Sequence, residues 1–242
     1  MLTDYQNNIE KMKGESWKLF DAISPRYDLL NRLLSLGQDL KWRRALARHL
    51  PAGENLHILD VATGTADVLL EMVRSEERIK TACGIDLAQN MMNEGRQKIV
   101  QQGLEARITL IPGDANQIPF PAQTFDVATI AFGIRNMKEP QKVLKEMYRV
   151  LKTGGRILVL EFSLAENPVI RFVQLIYLRI FVPLAGFLFS GHFRAYRYLN
   201  QTIENFPYGQ GFLDMLKECG FGNSQAHPLM LGAATIYQGD RG

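Results

Sequence analysis

The sequence predicts a doubly wound α/β fold, in which the strands of a parallel sheet alternate with helices. Two observations predict it. Five short β-prone apolar runs recur along the first two thirds of the chain, with helix-forming segments between them. A glycine turn or an acidic residue follows several of these runs, as at the ligand-binding edge of such sheets.

The first predicted strand leads into a glycine turn. His57-Ile58-Leu59 is β-prone, and the segment from Ala66 to Arg74 carries helix formers with its apolar residues on one side. Gly64 lies between them, where a missing Cβ lets backbone approach a ligand and a helix start offers free N–H groups. An ordinary strand-to-helix loop has the same pattern, so the turn alone does not identify a site.

The second predicted strand, Ala82 to Asp86, ends in an acid 19 residues beyond Asp67. An acid at this spacing from a glycine turn is the usual partner of ribose hydroxyls. Asp86 could instead, or in addition, be the N-cap of the helix predicted to open with Leu87 to Met92.

The turn excludes a dinucleotide dehydrogenase. That class needs G-x-G-x-x-G, and here Ala66 and Leu69 occupy the second and third glycine positions. A cofactor without a pyrophosphate fits better, and S-adenosylmethionine offers an adenosine for the acid and an amino-acid tail for the glycine turn.

Three more strands complete the predicted parallel sheet. Ile108 to Ala115 is the third, and it brings Asp114 to the edge where adenine would lie. Phe125 to Phe132, the fourth, is continuously apolar after Asp126, as expected of a strand buried on both faces. A helix is predicted from about Pro140 to Leu151 with a glycine stop at Lys152-Thr153-Gly154-Gly155, before a fifth strand at Arg156 to Glu161.

Composition is typical of one sizeable cytoplasmic α/β domain. The chain has 242 residues, 46% of them hydrophobic, and only two cysteines, which favours a reducing compartment. The segment from Met1 to Gly14 is polar, so no signal peptide is predicted. The four histidines are scattered without ligand spacing, so no metal site is expected. A net charge of +3 is too mild to predict nucleic-acid binding.

Two basic clusters stand out. The first, on one predicted helix, is interpreted as a solvated face and consists of Lys41, Arg43, Arg44 and Arg48. The second flanks the most apolar part of the chain and consists of Arg171, Arg179, Arg194 and Arg197.

That apolar part runs from Val169 to Phe193. It is interrupted by Arg171, Arg179 and Pro183, so a membrane-spanning helix is not predicted. Two interpretations stand: a core helix, or a cover over a greasy substrate whose arginines touch a bilayer interface.

Four strings carry a resemblance to a known family. They are Tyr27-Asp28-Leu29-Leu30-Asn31 with Ser35-x-Gly37 and Trp42; Phe132-Gly133-Ile134-Arg135-Asn136; Arg149 to Gly155 continuing through Glu161-Phe162-Ser163; and Ala195-Tyr196-Arg197-Tyr198-Leu199. In these strings the chain resembles the C-methyltransferases of ubiquinone and menaquinone biosynthesis, and the matches extend from about Trp17 to Tyr237.

The resemblance implies a class I S-adenosylmethionine-dependent methyltransferase fold, Rossmann-like, with a mostly parallel seven-stranded sheet and helices on both faces. It implies a helical cover over residues 1–50 that contributes to the substrate site. The methyltransferase domain would span residues 51–242, with an apolar helical insertion at about 166–208.

The implied reaction is C-methylation of a polyprenylated quinol, either demethylmenaquinol or 2-methoxy-6-polyprenyl-1,4-benzoquinol, by a cytoplasmic enzyme peripheral to the inner face of the cytoplasmic membrane. A related small-molecule methyltransferase and a non-catalytic membrane-associated module remain alternatives, as does an oligomer. An RNA methyltransferase is disfavoured, because the Asn-Pro-Pro-aromatic string of nucleobase amino methylation is absent.

Site residues follow from the predicted sheet edge and the resemblance. Gly64 and Thr65 are predicted beside the methionine moiety, Asp86 on the ribose, and Asp114 with Ala115 near adenine. Asp60 ends the first strand under the turn, where it contacts cofactor or only braces the loop.

The catalytic candidates lie in two of the strings. Arg135 would hold a phenolate by charge while Asn136 orients an oxygen or a water; a surface ion pair of Arg135 with Glu139 is the alternative. Tyr27 and Asp28 would take the proton through that water, unless Tyr27 only packs in the core.

The chain departs from the family pattern at three positions. Asp39 replaces a histidine, Leu30 replaces a methionine, and Ala131 replaces a serine, which removes a hydroxyl contact to cofactor. We interpret position 39 as one that shapes an N-terminal helix, where the replacement of histidine by aspartate is tolerated.

Overall fold

The computed structural model describes residues 15–22, 24–184 and 200–242, and these form a seven-stranded sheet flanked by helices. The strands are β1 Leu56–Val61, β2 Ile79–Asp86, β3 Ile108–Pro112, β4 Phe125–Ala131, β5 Leu151–Phe162, β6 Gly222–Leu229 and β7 Ala234–Asp240. Their order is β3-β2-β1-β4-β5-β7-β6, with β7 antiparallel to both neighbours and the other pairs parallel. The predicted doubly wound, mostly parallel sheet is confirmed.

Helices precede the sheet and connect its strands. They are α1 Ser16–Ala22, α2 Ser24–Leu34, α3 Gln38–Leu46, α4 Asp67–Ser75, α5 Gln89–Gln101, α6 Pro140–Val150, α7 Pro168–Ile176 and α8 Gln210–Glu218. A π-helix, Tyr177–Phe181, extends α7, and residues 200–205 are also helical. The first three helices lie within the predicted N-terminal cover.

Alternation along the central strands divides the interior into two cores. In β5, Leu158 and Leu160 face one core, and Ile157 and Val159 face the other; all four are fully buried. One core packs against α3, α4 and α5, and the other packs against α6 and α8. Helices therefore cover both faces, as a parallel sheet requires.

The strand order reverses beside β1. From β1 the chain proceeds outward to β2 and β3, whereas β4 returns to the other side of β1, where Val61 is in register with Ile130. The carboxyl ends of β1 and β4 therefore flank a crevice, which is where such sheets bind ligands.

The predicted glycine stop at Lys152 to Gly155 is wrong. Helix α6 ends at Val150, and β5 begins at Leu151, which is fully buried and in register with Phe125 of β4. Gly154, with φ +77°, forms an irregularity inside β5, where the register with β4 shifts. Burial of Leu151 in the sheet, rather than the glycines, ends the helix.

The predicted apolar insertion is described only in part. Residues 185–199, including the string Ala195 to Leu199, lie outside the described residues, as do residues 1–14. Within the described part, α7 has no buried residue, so the core-helix interpretation is wrong there. None of the described helices is long and apolar enough to cross a bilayer.

Candidate active site

A cavity opens in the crevice between β1 and β4. Its walls combine the turns after β1, β2, β3 and β4 with α1, α2 and α3 of the N-terminal cover. Of the ten predicted site residues, it brings together Tyr27, Gly64, Thr65, Asp86, Asp114, Ala115 and Asn136. The walls do not include Asp28, Asp60 or Arg135.

The turn after β1 has an unusual backbone. Ala62, Gly64 and Ala66 all have positive φ, at 54°, 54° and 64°. Only glycine adopts this region without steric strain, so the two alanines are held there by their surroundings. At Gly64 the positive φ favours glycine, since the one close contact of an added Cβ, 2.9 Å to Cε of Met91, is with the end of a flexible side chain that can move.

Asp86 joins this turn to the next. Its Oδ2 accepts a hydrogen bond from Gly64 N and its Oδ1 accepts one from Ala88 N, both at 2.8 Å. Burial raises the pKa of Asp86 despite these amide donors. The N-cap of α5 is Ala88, so Asp86 is not the cap and stays available as a wall of the cavity.

The wall expected near adenine lies beyond β3. Asp114 Oδ1 accepts hydrogen bonds from Asn116 N at 2.8 Å and from Asn116 Nδ2 at 2.9 Å, which fixes the loop. Ala115 follows, and Ala131 at the end of β4 also lines the cavity, without the hydroxyl that a serine would bring.

Asp60 lies under the turn. Its side chain is buried, and its Oδ1 accepts a hydrogen bond from the Thr129 hydroxyl of β4 at 2.5 Å. Burial raises the pKa of Asp60 to about 7. This placement supports the bracing interpretation of Asp60 over a cofactor contact.

The N-terminal cover supplies an aromatic wall. Trp17, Phe20 and Tyr27 line the cavity, and the rings of Phe20 and Tyr27 meet edge to face at 5.9 Å. Burial raises the pKa of Tyr27, so its phenol stays protonated at neutral pH. Tyr27 is therefore a cavity residue, not only a core residue.

Asp28 touches the cavity through Thr65. Its Oδ1 accepts a hydrogen bond from the Thr65 hydroxyl at 2.8 Å, and its Oδ2 binds the Lys98 ammonium. Lys98 also binds Asp67 Oδ1 at 2.7 Å. The proton-accepting role of Asp28 stays a prediction, and the carboxylate is already engaged on both oxygens.

Asp39 lies at the centre of a charge network. It is 2% exposed, and its Oδ2 binds the guanidinium groups of both Arg32 and Arg43. Arg32 also donates to Asp67 Oδ2 at 2.9 Å, so the network continues into α4. An aspartate here holds two cations that a neutral histidine could not hold.

Sequence reasoning missed Arg43. It is 4% exposed, not on a solvated face, and its guanidinium lies 5.5 Å from the centre of the Phe132 ring in the cavity wall. Its Nε has no hydrogen-bond partner among the described residues. Ser35, Asp39 and Arg43 are spaced four residues apart, which makes them neighbours on a helix surface. This spacing could have indicated that Arg43 is paired with Asp39.

Arg135 is buried rather than exposed to the cavity. Its Nη1 donates to Glu161 Oε1 and to the Phe132 carbonyl, both at 2.6 Å, so its partner is Glu161 and not Glu139. Its guanidinium lies 5.2 Å from the centre of the Phe162 ring. Sequence reasoning gave Glu161 no role, although it lies in the third string.

Asn136 faces the cavity directly. Its Nδ2 donates to the Phe132 carbonyl at 3.3 Å, whereas its Oδ1 is buried without a partner among the described residues. A buried unpaired acceptor in a cavity wall marks a position for a ligand donor.

The fold is that of known methyltransferases. A S-adenosylmethionine-dependent methyltransferase of Thermotoga maritima superposes with a TM-score of 0.66 at 18% identity, covering 93% of this chain and all of that one. Phosphoethanolamine N-methyltransferase 2 of Haemonchus contortus, solved with S-adenosyl-L-methionine, has a TM-score of 0.59 at 15% identity, covering 81% of this chain and 51% of that one.

Curated relatives match at higher identity. The chain is 42% identical over 230 residues to a ubiquinone/menaquinone biosynthesis C-methyltransferase of Geotalea daltonii, covering 95% of this chain and 97% of the relative. It is 38% identical over 231 residues to a demethylmenaquinone methyltransferase of Bacteroides fragilis, covering 96% and 94%.

The sequence profile of the ubiE/COQ5 methyltransferase family matches residues 8–241, nearly the whole chain. The chain therefore belongs to the ubiE/COQ5 methyltransferase family, and its fold is that of the class I methyltransferases that use S-adenosylmethionine.

Proposed function

We propose that this protein transfers the methyl group of S-adenosylmethionine to a ring carbon of demethylmenaquinol, giving menaquinol. The observation that carries the proposal is a single cavity that joins the glycine turn and Asp86 to an aromatic wall with an unpaired Asn136. The names of the relatives support a quinol acceptor. Because six of them carry both pathway names, 2-methoxy-6-polyprenyl-1,4-benzoquinol is the second candidate.

In the proposed complex the methyl donor lies along the ends of β1, β2 and β3. Gly64 and Thr65 bind the methionine moiety, Asp86 accepts hydrogen bonds from the ribose hydroxyls, and Asp114 with Ala115 contacts adenine. Support comes from the shared cavity wall and from the backbone amides that already fix Asp86.

The proposed step is an in-line displacement. A ring carbon of the quinol, made electron-rich by loss of a hydroxyl proton, forms a bond to the methyl carbon while the bond from methyl to sulfur breaks. S-adenosylhomocysteine leaves as a neutral thioether. The proton on the attacked ring carbon is then lost while the oxygen regains a proton, so that the aromatic quinol is restored and one proton in total is released. Positioning carbon and methyl about 3 to 3.5 Å apart supplies much of the acceleration.

Four residues serve the acceptor in this proposal. Asn136 Oδ1 accepts a hydrogen bond from a quinol hydroxyl, and the protonated Tyr27 phenol donates to the developing phenolate. Arg135 adds positive charge from behind the Phe162 ring. Asp28 receives the proton through water near Thr65.

The proposal is tested by titration and turnover. Calorimetry should detect S-adenosylmethionine binding, and the reduced acceptors should give methylated product by mass spectrometry, with demethylmenaquinol preferred to the benzoquinol. Asp86→Ala should raise the cofactor Kd by about tenfold or more with little change in acceptor KM. Asp214→Ala, an exposed change on α8, is the matched control.

Two results would sink the proposal. A protein that binds no S-adenosylmethionine would be a non-catalytic module. A protein that binds it but methylates neither quinol would be a methyltransferase with another acceptor.

We further propose that the protein contacts a membrane surface. The support is the run of exposed apolar side chains on α7 and the π-helix, where Val169 is 71%, Phe172 65% and Phe181 58% exposed. Of the arginines predicted to touch the bilayer, Arg179 binds Glu204 at 2.6 Å and Arg171 donates to the Ala165 carbonyl at 2.8 Å. Apolar burial, rather than these charges, would then drive the contact.

A further inference from the structure

We infer that a second, apolar cavity of this protein is the binding site for the polyprenyl tail of the acceptor. This inference rests on the proposed quinol acceptor and assigns the tail to a place on the protein. The cavity has a volume of about 320 Å³ and lies among α3, the end of β5, α7 and the segment Met230–Gly232. That volume falls within the range of known small-molecule sites.

The walls of this cavity offer almost no polar contact. Besides the Trp42 indole, four polar side chains line them: Tyr177, and three that hydrogen-bond to other groups of the protein, namely Ser35 Oγ to Asp39 at 2.9 Å, Ser163 Oγ to the Gly232 carbonyl at 2.9 Å, and Gln174 Oε1 to Ala165 N at 2.8 Å. The remaining wall is mainly aliphatic and aromatic, with Ile170, Val173, Leu178, Val182 and Ile203. A hydrocarbon ligand gives up no hydrogen bonds with water when it binds against such a wall, whereas a polar ligand would give up hydrogen bonds that the wall does not replace.

Three packed aromatic rings lie between the apolar cavity and the cavity of the candidate active site, here called the methyl-donor cavity, and the two cavities share no lining residue among those described. Phe132 lines the donor cavity, and Trp42 and Phe162 line the apolar one. The ring centres of Phe132 and Phe162 are 4.6 Å apart, and Trp42 lies 6.2 Å from each. A quinol ring held beside Phe132 therefore needs to pass only this ring cluster for its tail to enter the apolar cavity.

Three exposed apolar residues in the wall of the apolar cavity have a strained backbone. Leu36, Met230 and Leu231 line this cavity with φ values of 53°, 44° and 56°, in the left-handed region that such residues rarely adopt. Their side chains are 67%, 51% and 75% exposed. The chain thus keeps three large apolar side chains in solvent at an energetic cost, which is typical of a ligand-binding segment.

Asparagine substitutions can weaken the tail site without destabilising the fold. Asparagine tolerates positive φ better than leucine, so Leu36→Asn with Leu231→Asn should keep or raise Tm while removing apolar contact with a tail. The control is Val100→Gln, which changes a 60% exposed apolar residue on α5 that lines neither cavity.

The experiment measures kcat and KM for demethylmenaquinols carrying from one to about eight isoprene units, in one non-ionic detergent. In the wild-type protein KM should fall as the first few units are added. The double variant should lose that gain, with KM for the long-tailed acceptor raised about tenfold and kcat and KM for the one-unit acceptor unchanged. The control should match wild type throughout.

Turnover of the one-unit acceptor tests the proposed function, and the dependence on tail length tests the tail site. If the one-unit acceptor is methylated but KM does not depend on tail length, or the double variant behaves like the control, the tail site is wrong and the function stands. If no acceptor is methylated, the proposed function itself is wrong.

Discussion

A buried carboxyl at the end of β1 links stability to pH at the scale of one residue. The pKa of Asp60 is about 7 in the folded protein, well above its value in the unfolded chain, so the folded state binds this proton more tightly. The resulting stabilisation is complete below the unfolded pKa, near 4, and is lost as the pH rises through about 7.

Asp60→Asn removes this titration while an amide oxygen can still accept from Thr129. We expect the free energy of unfolding of wild type, relative to the variant, to fall by roughly 2 kcal/mol between pH 5 and pH 8. Urea unfolding at the two pH values measures this. Parallel pH curves for the two proteins would show that Asp60 does not titrate as inferred, and exposed Asp214→Asn is the control.

The pair of Arg135 and Glu161 allows structural and chemical roles to be separated. Arg135→Ala leaves Glu161 buried without its cation, so we expect a loss of about 3 kcal/mol in stability as well as a loss of turnover. The double change Arg135→Gln with Glu161→Gln keeps hydrogen-bonding groups without burying a charge, so unfolding experiments should show much of the stability recovered.

If the charge of Arg135 acts on the acceptor, turnover of the double variant stays about 100-fold below wild type while the S-adenosylmethionine Kd is unchanged. Recovery of turnover together with stability would mean that Arg135 only supports the fold.

The site was predictable from sequence where local pattern determines it. Gly64 and Asp86 were found because a turn and an acid follow β-prone runs at the expected spacing. Arg43 and the partner of Arg135 were not found. The sequence does not distinguish a buried arginine such as Arg43 from a solvated one, and Glu161, the partner of Arg135, lies 26 residues away along the chain.

At the scale of elements, ion pairs join the N-terminal cover to helices α4 and α5. Lys98 of α5 binds Asp28 of α2 and Asp67 of α4, and Asp28 in turn holds Thr65 in the cavity wall. Although burial alone would raise the pKa of Asp67, the positive charges of Lys98 and Arg43 lower it.

Lys98→Met should loosen the cover, because two carboxylates would then face each other without the shared cation. We expect faster hydrogen exchange in α1 and α2, a stability loss of about 2 kcal/mol and a higher acceptor KM. Lys98→Arg, which keeps the charge, is the control. Unchanged exchange in the cover would show that aromatic packing alone holds it.

Element boundaries show which forces the sequence pattern misses. The prediction placed a helix stop at Lys152 to Gly155 and the start of the fifth strand at Arg156, yet pairing of Leu151 with Phe125 starts β5 five residues earlier. The apolar face of α7 predicted either a core helix or a cover, and the exposure of Val169 and Phe172 argues against the core helix for α7, whereas the cover stays a prediction.

At the scale of the whole molecule, the exposed apolar surface predicts binding to lipid vesicles. Phe172 and Phe181 belong to that surface but line neither the donor cavity nor the apolar cavity. Phe172→Gln with Phe181→Gln should reduce co-sedimentation with vesicles about tenfold while leaving turnover of a one-unit acceptor unchanged.

Because Arg179 is already paired with Glu204 and Arg171 donates to the Ala165 carbonyl, these two arginines should add little dependence on salt or on anionic lipid to this binding. Val100→Gln serves again as the control. Strong salt dependence would assign the contact to basic groups instead.

The parallel part of the whole fold was predictable, and the antiparallel edge was not. The inner strands β1, β4 and β5 each contain a run of buried, mainly apolar residues, a pattern visible in sequence. Strand β6, in contrast, has no fully buried residue and contains Gly222, Asn223 and Pro228, so only the family resemblance indicated seven strands.

The position of β7 constrains the order in which the protein folds during synthesis. β7 lies between β5 and β6 and pairs with both, from Phe162 with Ala234 to Gly222 with Asp240. β6 leaves the ribosome first and has no sheet partner until β7 follows and turns back along it. The outer third of the sheet, including the Ser163 hydroxyl bonded to Thr235, therefore assembles in one late step.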